Sequence, residues 1–382
     1  MYNRNSNPMA SMSSYRIESR MLRYSTFVPK LYNLCRSLGF EHGKIMPSRA
    51  FCSDESQGYP IILIAKHFNS FPFNHGLVGG IVATDRHGPH AHHGKDLIII
   101  HASHVGYDPE SRQYGHYRRL QTEDNSCSSS CGKIAGVLDW YQREYDFARD
   151  NIHVFKEEDE WRISIDNQLL DESREEGLYL DLSRLVTMDD AGLMNPLKVF
   201  STSKTFRASD ELAGLLDISG TGSEPTPLGD RLQPDWYSFK RQIRGGKEEG
   251  HSHLEHNLLP VMPWVLATKS PMLTAAKVNT QVEFDRTYRS LLKETEYKGR
   301  RLMLISGLHI DISPVEGQLF PLTKFVPWAA YLQQPDGAHR ILEQDELFQM
   351  LDQQSEENPD QTDLEGAIHA MSEAAEVRPP TE

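Results

Sequence analysis

At 382 residues and 38% hydrophobic content, the chain is long enough to bury one large core or two smaller ones. Its net charge of -14 is concentrated at the C-terminal end, where residues 341–382 hold twelve acids against the single base Arg378, so nothing in the remainder recommends a nucleic-acid or membrane partner. No apolar run approaches the roughly 18 residues that cross a bilayer, and four cysteines are too few for a disulfide scaffold at this length, which points to the cytoplasm or another reducing compartment.

The first twenty residues, MYNRNSNPMASMSSYRIESR, lack the apolar block of a secretory signal and read as a flexible polar leader. STFVPKLYNLCRSLGF carries apolar residues at helical spacing and ends near Gly39, predicting a helix over about 26–38 with Cys35 as a small core residue. GKIMPSRAFCSDES reads as a short strand that ends at Cys52 and opens into a polar turn, with Pro47 counting against the strand. The run YPIILIAKHF fits either a strand or a helix.

NHGLVGGIVATDRHGPHAHHG is rich in glycine and histidine and reads as a long loop. The continuous apolar run in DLIIIHA is then a strand buried on both faces, of the kind found inside parallel sheets, with His104 expected just beyond its carboxyl end. His101, three residues earlier, reads as a packed or hydrogen-bonded residue. NSCSSSCGKIAGVLDWYQREYDFARDNI supplies serines as caps before Ile134, Val137, Leu138, Tyr141 and Tyr145, predicting a helix over about 132–149 with Cys131 at its start.

Farther on, EDEWRISID and EEGLYLDLSRLV look like strands or short helices, and SGTGSEPTPLGDRLQP like a linker or large loop. GRRLMLISGLHIDI is another strand candidate, and LTKFVPWAAYLQ is core-like without a decided type. The acidic end is expected to begin as the end of a helix and finish disordered.

Cys52, His104 and Cys131 thus stand at element ends, and open α/β sheets gather their sites at the carboxyl ends of strands. Two thiolates and an imidazole suit a zinc ion and leave a fourth position for water, while a helix N-terminus favours the Cys131 thiolate. Spacing alone does not single out this triple, and Cys127 competes with Cys131.

In this order, FCSDES, NHGLVGGIVA, ASHVGYD and CSSSCGKIAG resemble the limiting-CO2-inducible protein B/C family over about residues 25–150. That family's core is similar to a β-carbonic anhydrase and is sometimes counted as a theta class. The resemblance implies an α/β fold whose mostly parallel central sheet is flanked by helices. It also implies a homodimer with the site near the subunit interface.

Carried over by the resemblance, Cys52, His104 and Cys131 are zinc ligands, Cys131 being preferred to Cys127 for its Cys-Gly before an apolar helix, and Asp54 is the carboxylate beside them. The implied reaction is the reversible hydration of CO2 to bicarbonate by zinc-bound hydroxide, with His87, His90, His92 and His93 as candidate proton shuttles.

The chain departs from the β-carbonic anhydrase pattern at Ser56, where an arginine would pair with the aspartate, so Arg86 is expected to replace it, with Arg49 a weaker candidate. Without that arginine Asp54 has two roles open to it, accepting a hydrogen bond at the site or closing the site as a ligand. The expected division is a leader over 1–20, a zinc core over 21–215, a C-terminal region over 216–342 packed on it, and an acidic tail over 343–382.

Two rival readings remain open. One is a zinc-bearing but catalytically silent interaction protein, with the acidic tail and the loop around 216–250 as docking segments. The other takes GHSHLEHN, with His251, His253, Glu255 and His256, as the metal site of a hydrolase or oxygenase.

Overall fold

The computed structural model describes residues 13–74, 76–77, 80–82, 95–118, 127–219, 223–245, 250–315, 317–318 and 321–374. In chain order its main elements are α1 (Tyr24–Ser37), β1 (Ile45–Ala50), α2 (Gly58–Phe68), β2 (Asp96–Asp108), α3 (Gly132–Asn151), β3 (Ile152–Glu157), β4 (Glu160–Asp166) and β5 (Ser203–Arg207). Then come α4 (Gly250–Leu258), α5 (Pro271–Leu291), β6 (Leu302–Ile312), β7 (Leu322–Gln333), β8 (His339–Leu342), α6 (Gln344–Asp352) and α7 (Leu364–Glu373). The chain divides into two compact units, one formed by Ile134–Ala275 and the other by Ser11–Lys133 with Ala276–Glu382.

The second unit is a mixed α/β layer structure. Across its main sheet the order is Leu22–Arg23, β7, β6, β2, β1 and Phe73–Asn74. The four strands from β6 to Phe73–Asn74 run parallel, and β7 pairs antiparallel with both β6 and Leu22–Arg23.

Parallel strands covered on both faces need apolar residues at every position, and the runs in β2 and β6 supply them. Ile98, Ile100, Met303 and Ile305 face a core that also takes Phe27 and Leu31 of α1, Ile64 of α2, and Leu347 and Leu351 of α6. Leu97, Ile99, Leu302 and Leu304 face the other side, against Phe284 and Leu291 of α5.

The sheet takes strands from both sides of the boundary expected at residues 215 and 216, because the two most apolar runs of the sequence, β2 and β6, are each other's parallel partners. The ambiguous run YPIILIAKHF is a helix whose buried residues Pro60, Leu63, Ile64, His67 and Phe68 recur at helical spacing. LTKFVPWAAYLQ is a strand, and its Pro327 falls at the register shift opposite Ser306 and Gly307, where a missing N–H is tolerated.

The acidic end is more ordered than its charge suggests. Leu347 and Leu351, one helical turn apart on α6, are fully buried and hold that segment to the core. Asp363 then caps α7 by accepting the Gly366 amide at 3.1 Å.

The first unit is built around a five-stranded antiparallel sheet in the order Lys198–Val199, β5, β4, β3, Thr226–Pro227. Val154, Ile163, Ile165 and Phe206 fill one face at alternating positions. Helix α3 contributes Ile134, Val137, Leu138, Tyr141 and Tyr145, the spacing expected from its sequence.

Candidate metal centre

Cys52 lies two residues past β1 and is 4% exposed, His104 is fully buried, and Cys131 immediately precedes α3 at 1% exposure. Their sulfur and nitrogen donor atoms all lie within 4.8 Å of one another, and this is the one such group of three among the described residues. His104 stands inside β2, four residues before its end, where the sequence placed it just beyond the strand. The strand is longer than its apolar run because β6 pairs with it as far as Tyr107.

Backbone pairing brings Cys131 to His104. The Gly106 amide, two residues after His104, donates to Ser130 C=O at 2.9 Å, and the Ser130 amide donates to Gly115 C=O at 2.9 Å. Cys127 is excluded from the group: it is exposed, in a short strand paired with His116–Arg118.

The glycines of NHGLVGGIVA matter at two points. A Cβ on Gly76 would overlap the backbone N and O of Phe51, next to Cys52. Gly80 has φ +76, and a Cβ there would lie 2.5 Å from Ala102 C=O, two residues before His104.

The cysteine sulfurs are 4.0 Å apart. The contact with Cys52, and then burial, push the Cys131 thiol up to about 12, with nearby His104 offsetting part of the rise. For His104, burial alone would lower the pKa, but the charge of Cys131 and the hydrogen bond to Asp311 outweigh it and raise it well above the usual imidazole value. Two thiols this close in a buried site resist ionising together, and a divalent ion would supply the charge that holds both as thiolates.

The His104 ring makes the same point. Its Nδ1 is 2.9 Å from Asp311 Oδ2, which leaves the buried Nε2 to the sulfurs of Cys131 and Cys52. That is the arrangement of a metal-ligating histidine, with one nitrogen fixed by a carboxylate and the other free to give up its proton to a cation. Two sulfurs and an imidazole suit zinc and do not suit the oxygen-seeking magnesium and calcium ions.

Asp54, two residues past Cys52, is half-buried and lies outside the cluster of donors. Its Oδ1 accepts the Ser56 amide at 3.1 Å, capping the short turn Glu55–Gln57. Ser56 stands where the β-type pattern has an arginine, and its hydroxyl donates to Asp311 Oδ2 at 3.2 Å. Arg49 lies in β1 with Nε buried and without a partner, and burial lowers its pKa. Arg86, His87, His90, His92 and His93 lie outside the described residues.

GHSHLEHN forms α4. Glu255 there is buried, accepting Tyr141 Oη at 2.7 Å and Arg241 Nη1 at 2.8 Å, so its carboxylate is occupied by an ion pair and a hydroxyl.

Sequence reasoning missed Asp311, Gln57 and His309. A signal was present: along LMLISGLHIDI the face of Met303 and Ile305 turns polar at His309 and Asp311, just as the face of Ile98 and Ile100 turns polar at His104. Two buried strands whose faces change character at the same end mark a site there.

No protein-family model and no curated protein matches the chain. Among solved structures, similarity falls on PtLCIB4, described as a homolog of the limiting CO2-inducible protein LCIB, at 11% identity and a TM-score of 0.49, covering 88% of this chain and 99% of that one. LCIB itself is similar at 9% identity and a TM-score of 0.46, covering 88% of this chain and 99% of that one.

Proposed function

We propose that Cys52, His104 and Cys131 hold one zinc ion and that the protein catalyses the reversible hydration of CO2 to bicarbonate. The observation that carries this reading is the convergence of two thiols and the imidazole of His104 within 4.8 Å at the carboxyl end of the sheet. The order of the motifs around those residues, which resembles that of the limiting-CO2-inducible B/C family, supports it from the sequence side.

Zinc held by such a set is a Lewis acid that brings the pKa of water down toward about 7, so that hydroxide is available at neutral pH. The chain's own residues bind the ion, shape the site and move protons. Asp54, two residues past Cys52, is the carboxylate proposed to orient the water. Arg86 is proposed as its cationic partner, and His87, His92 and His93 as carriers of the proton to solvent. A homodimer in a reducing compartment, where the free thiols persist, is the proposed setting.

A second reading, a catalytically silent metal centre, draws on the burial of the three donors, none more than 4% exposed. Stopped-flow CO2 hydration with zinc-loaded protein separates the two. Turnover above the buffer rate that disappears in Cys52→Ser is expected from the first reading, and a rate equal to buffer would leave the second.

A further inference from the structure

Asp311 is fully buried near the end of β6 and accepts four hydrogen bonds. Its Oδ2 takes His104 Nδ1 at 2.9 Å, Gln57 Nε2 at 2.7 Å and Ser56 Oγ at 3.2 Å, and its Oδ1 takes Thr323 Oγ1 at 3.0 Å. A carboxylate removed from water is costly unless its oxygens are satisfied, and here donors from four separate positions converge on it.

The donors themselves are oriented. His309, level with His104 across the β2–β6 pair, donates from Nδ1 to Gln57 Oε1 at 2.5 Å, which turns the Gln57 amide nitrogen toward Asp311. With an acceptor-only group opposite it, His104 Nδ1 must carry a proton, and Nε2 is left as the nitrogen that faces the two sulfurs. Ser56 and Gln57 belong to the short turn just past Cys52. One carboxylate therefore bonds both the second of the three donors and the turn beyond the first.

We propose that Asp311 is a positioning residue for the metal centre: it fixes the tautomer and ring plane of His104 and pins the Glu55–Gln57 turn at the distance at which Cys52 and His104 share one ion. The inference rests on the reading of this cluster as a metal site. It assigns Asp311 no contact with substrate.

The test uses the full-length protein, Asp311→Ala, Asp311→Asn and Cys52→Ser. Zinc affinity is measured by competition with a chromophoric chelator, the cobalt-substituted forms by visible absorption, and the His104 Nδ1–H by proton NMR. Wild type should bind one zinc per chain and show a slowly exchanging Nδ1–H, and Cys52→Ser should lose the metal. Asp311→Ala should bind zinc about 10- to 100-fold more weakly, change the cobalt spectrum and lose that proton signal.

Folded Asp311→Ala with wild-type affinity and an unaltered cobalt spectrum would overturn the proposal. If that variant fails to fold, Asp311→Asn decides: its carbonyl still accepts from His104, so a loss of about three- to tenfold is expected, and none overturns the claim. If wild type itself takes up no zinc, the metal reading fails, and the placement of His104 is judged by the Nδ1–H alone. Its presence in wild type and loss in the variant uphold that placement, and its absence in wild type refutes it.

Discussion

The sulfurs of Cys52 and Cys131 stand 4.0 Å apart in the buried interior although 79 positions separate them in the chain. Neither residue is pulled there by the other: Cys52 arrives at the end of β1, and Cys131 by the pairing of Ser130 with Gly106. Because each donor is delivered by a different element, single replacements should remove metal without unfolding the protein. Cys52→Ser, His104→Ala and Cys131→Ser are each expected to reduce zinc from about one ion per chain to near background, with far-ultraviolet circular dichroism unchanged. Elemental analysis of the purified variants checks this, and full zinc content in any of the three removes that residue from the ligand set.

Gly76 offers a test of how the site is framed from outside the ligands. A methyl group there meets the Phe51 backbone, and relief requires Phe51, and with it Cys52, to move. Gly76→Ala should cost about 1–3 kcal/mol in urea unfolding and weaken zinc binding in the same protein. A variant as stable as wild type and with equal zinc affinity would mean that the strand at Gly76 yields instead.

His101 provides a pH signature independent of the metal ligands. It lies on the opposite face of β2, bonded to Ser306 Oγ at 2.6 Å and Gly80 C=O at 2.8 Å, and burial lowers its pKa from 6.5 to about 4. The folded state therefore binds this proton less readily than the unfolded chain. Stability on this account is full above about pH 6.5, falls as the pH drops toward 4, and levels off below that, for a loss of at most about 3 kcal/mol. His101→Gln should flatten the profile by that amount when urea unfolding at pH 7 and pH 4.5 is compared. An identical pH dependence in the variant would show that burial at this position does not penalise the charged ring.

Each of Cys52, His104 and Cys131 carries a local mark in the sequence, a strand end before a polar turn, an apolar run leading to a histidine, and a cysteine before a capped amphipathic helix, but only the order of the surrounding motifs joined them into one set. Asp311 was marked only by the polar end of its strand face, and its role depends on the register of β2 against β6, a parallel pairing across roughly 200 residues that no local pattern encodes. The same distance hid the composition of the sheet. A boundary near residue 215 looked natural from the glycine- and proline-rich stretch just after it, yet β6 and β7 complete the sheet begun by β1 and β2. In sequence, only the glycine and apolar helix directly after Cys131 separate it from Cys127, and in the structure exposure does so.

The C-terminal end, with eleven net negative charges over residues 341–382, was expected to begin as the end of a helix and finish disordered; a segment needs only a few well-spaced apolar residues to dock on an existing core. Leu347 and Leu351 are completely buried among residues of α1 and the main sheet, while the acids of α6 point to solvent or pair, as Asp345 does with Arg20 at 3.0 Å. Leu347→Ala should therefore behave as a core truncation and cost about 2–4 kcal/mol, whereas Asp345→Ala, which removes exposed ion pairs with Arg16 and Arg20, should cost about 1 kcal/mol or less. Chemical denaturation of both variants compares the two directly. Equal, small effects would return the segment to the status of a tail, and a large effect confined to Leu347 would make α6 a structural part of the unit that carries the candidate metal centre.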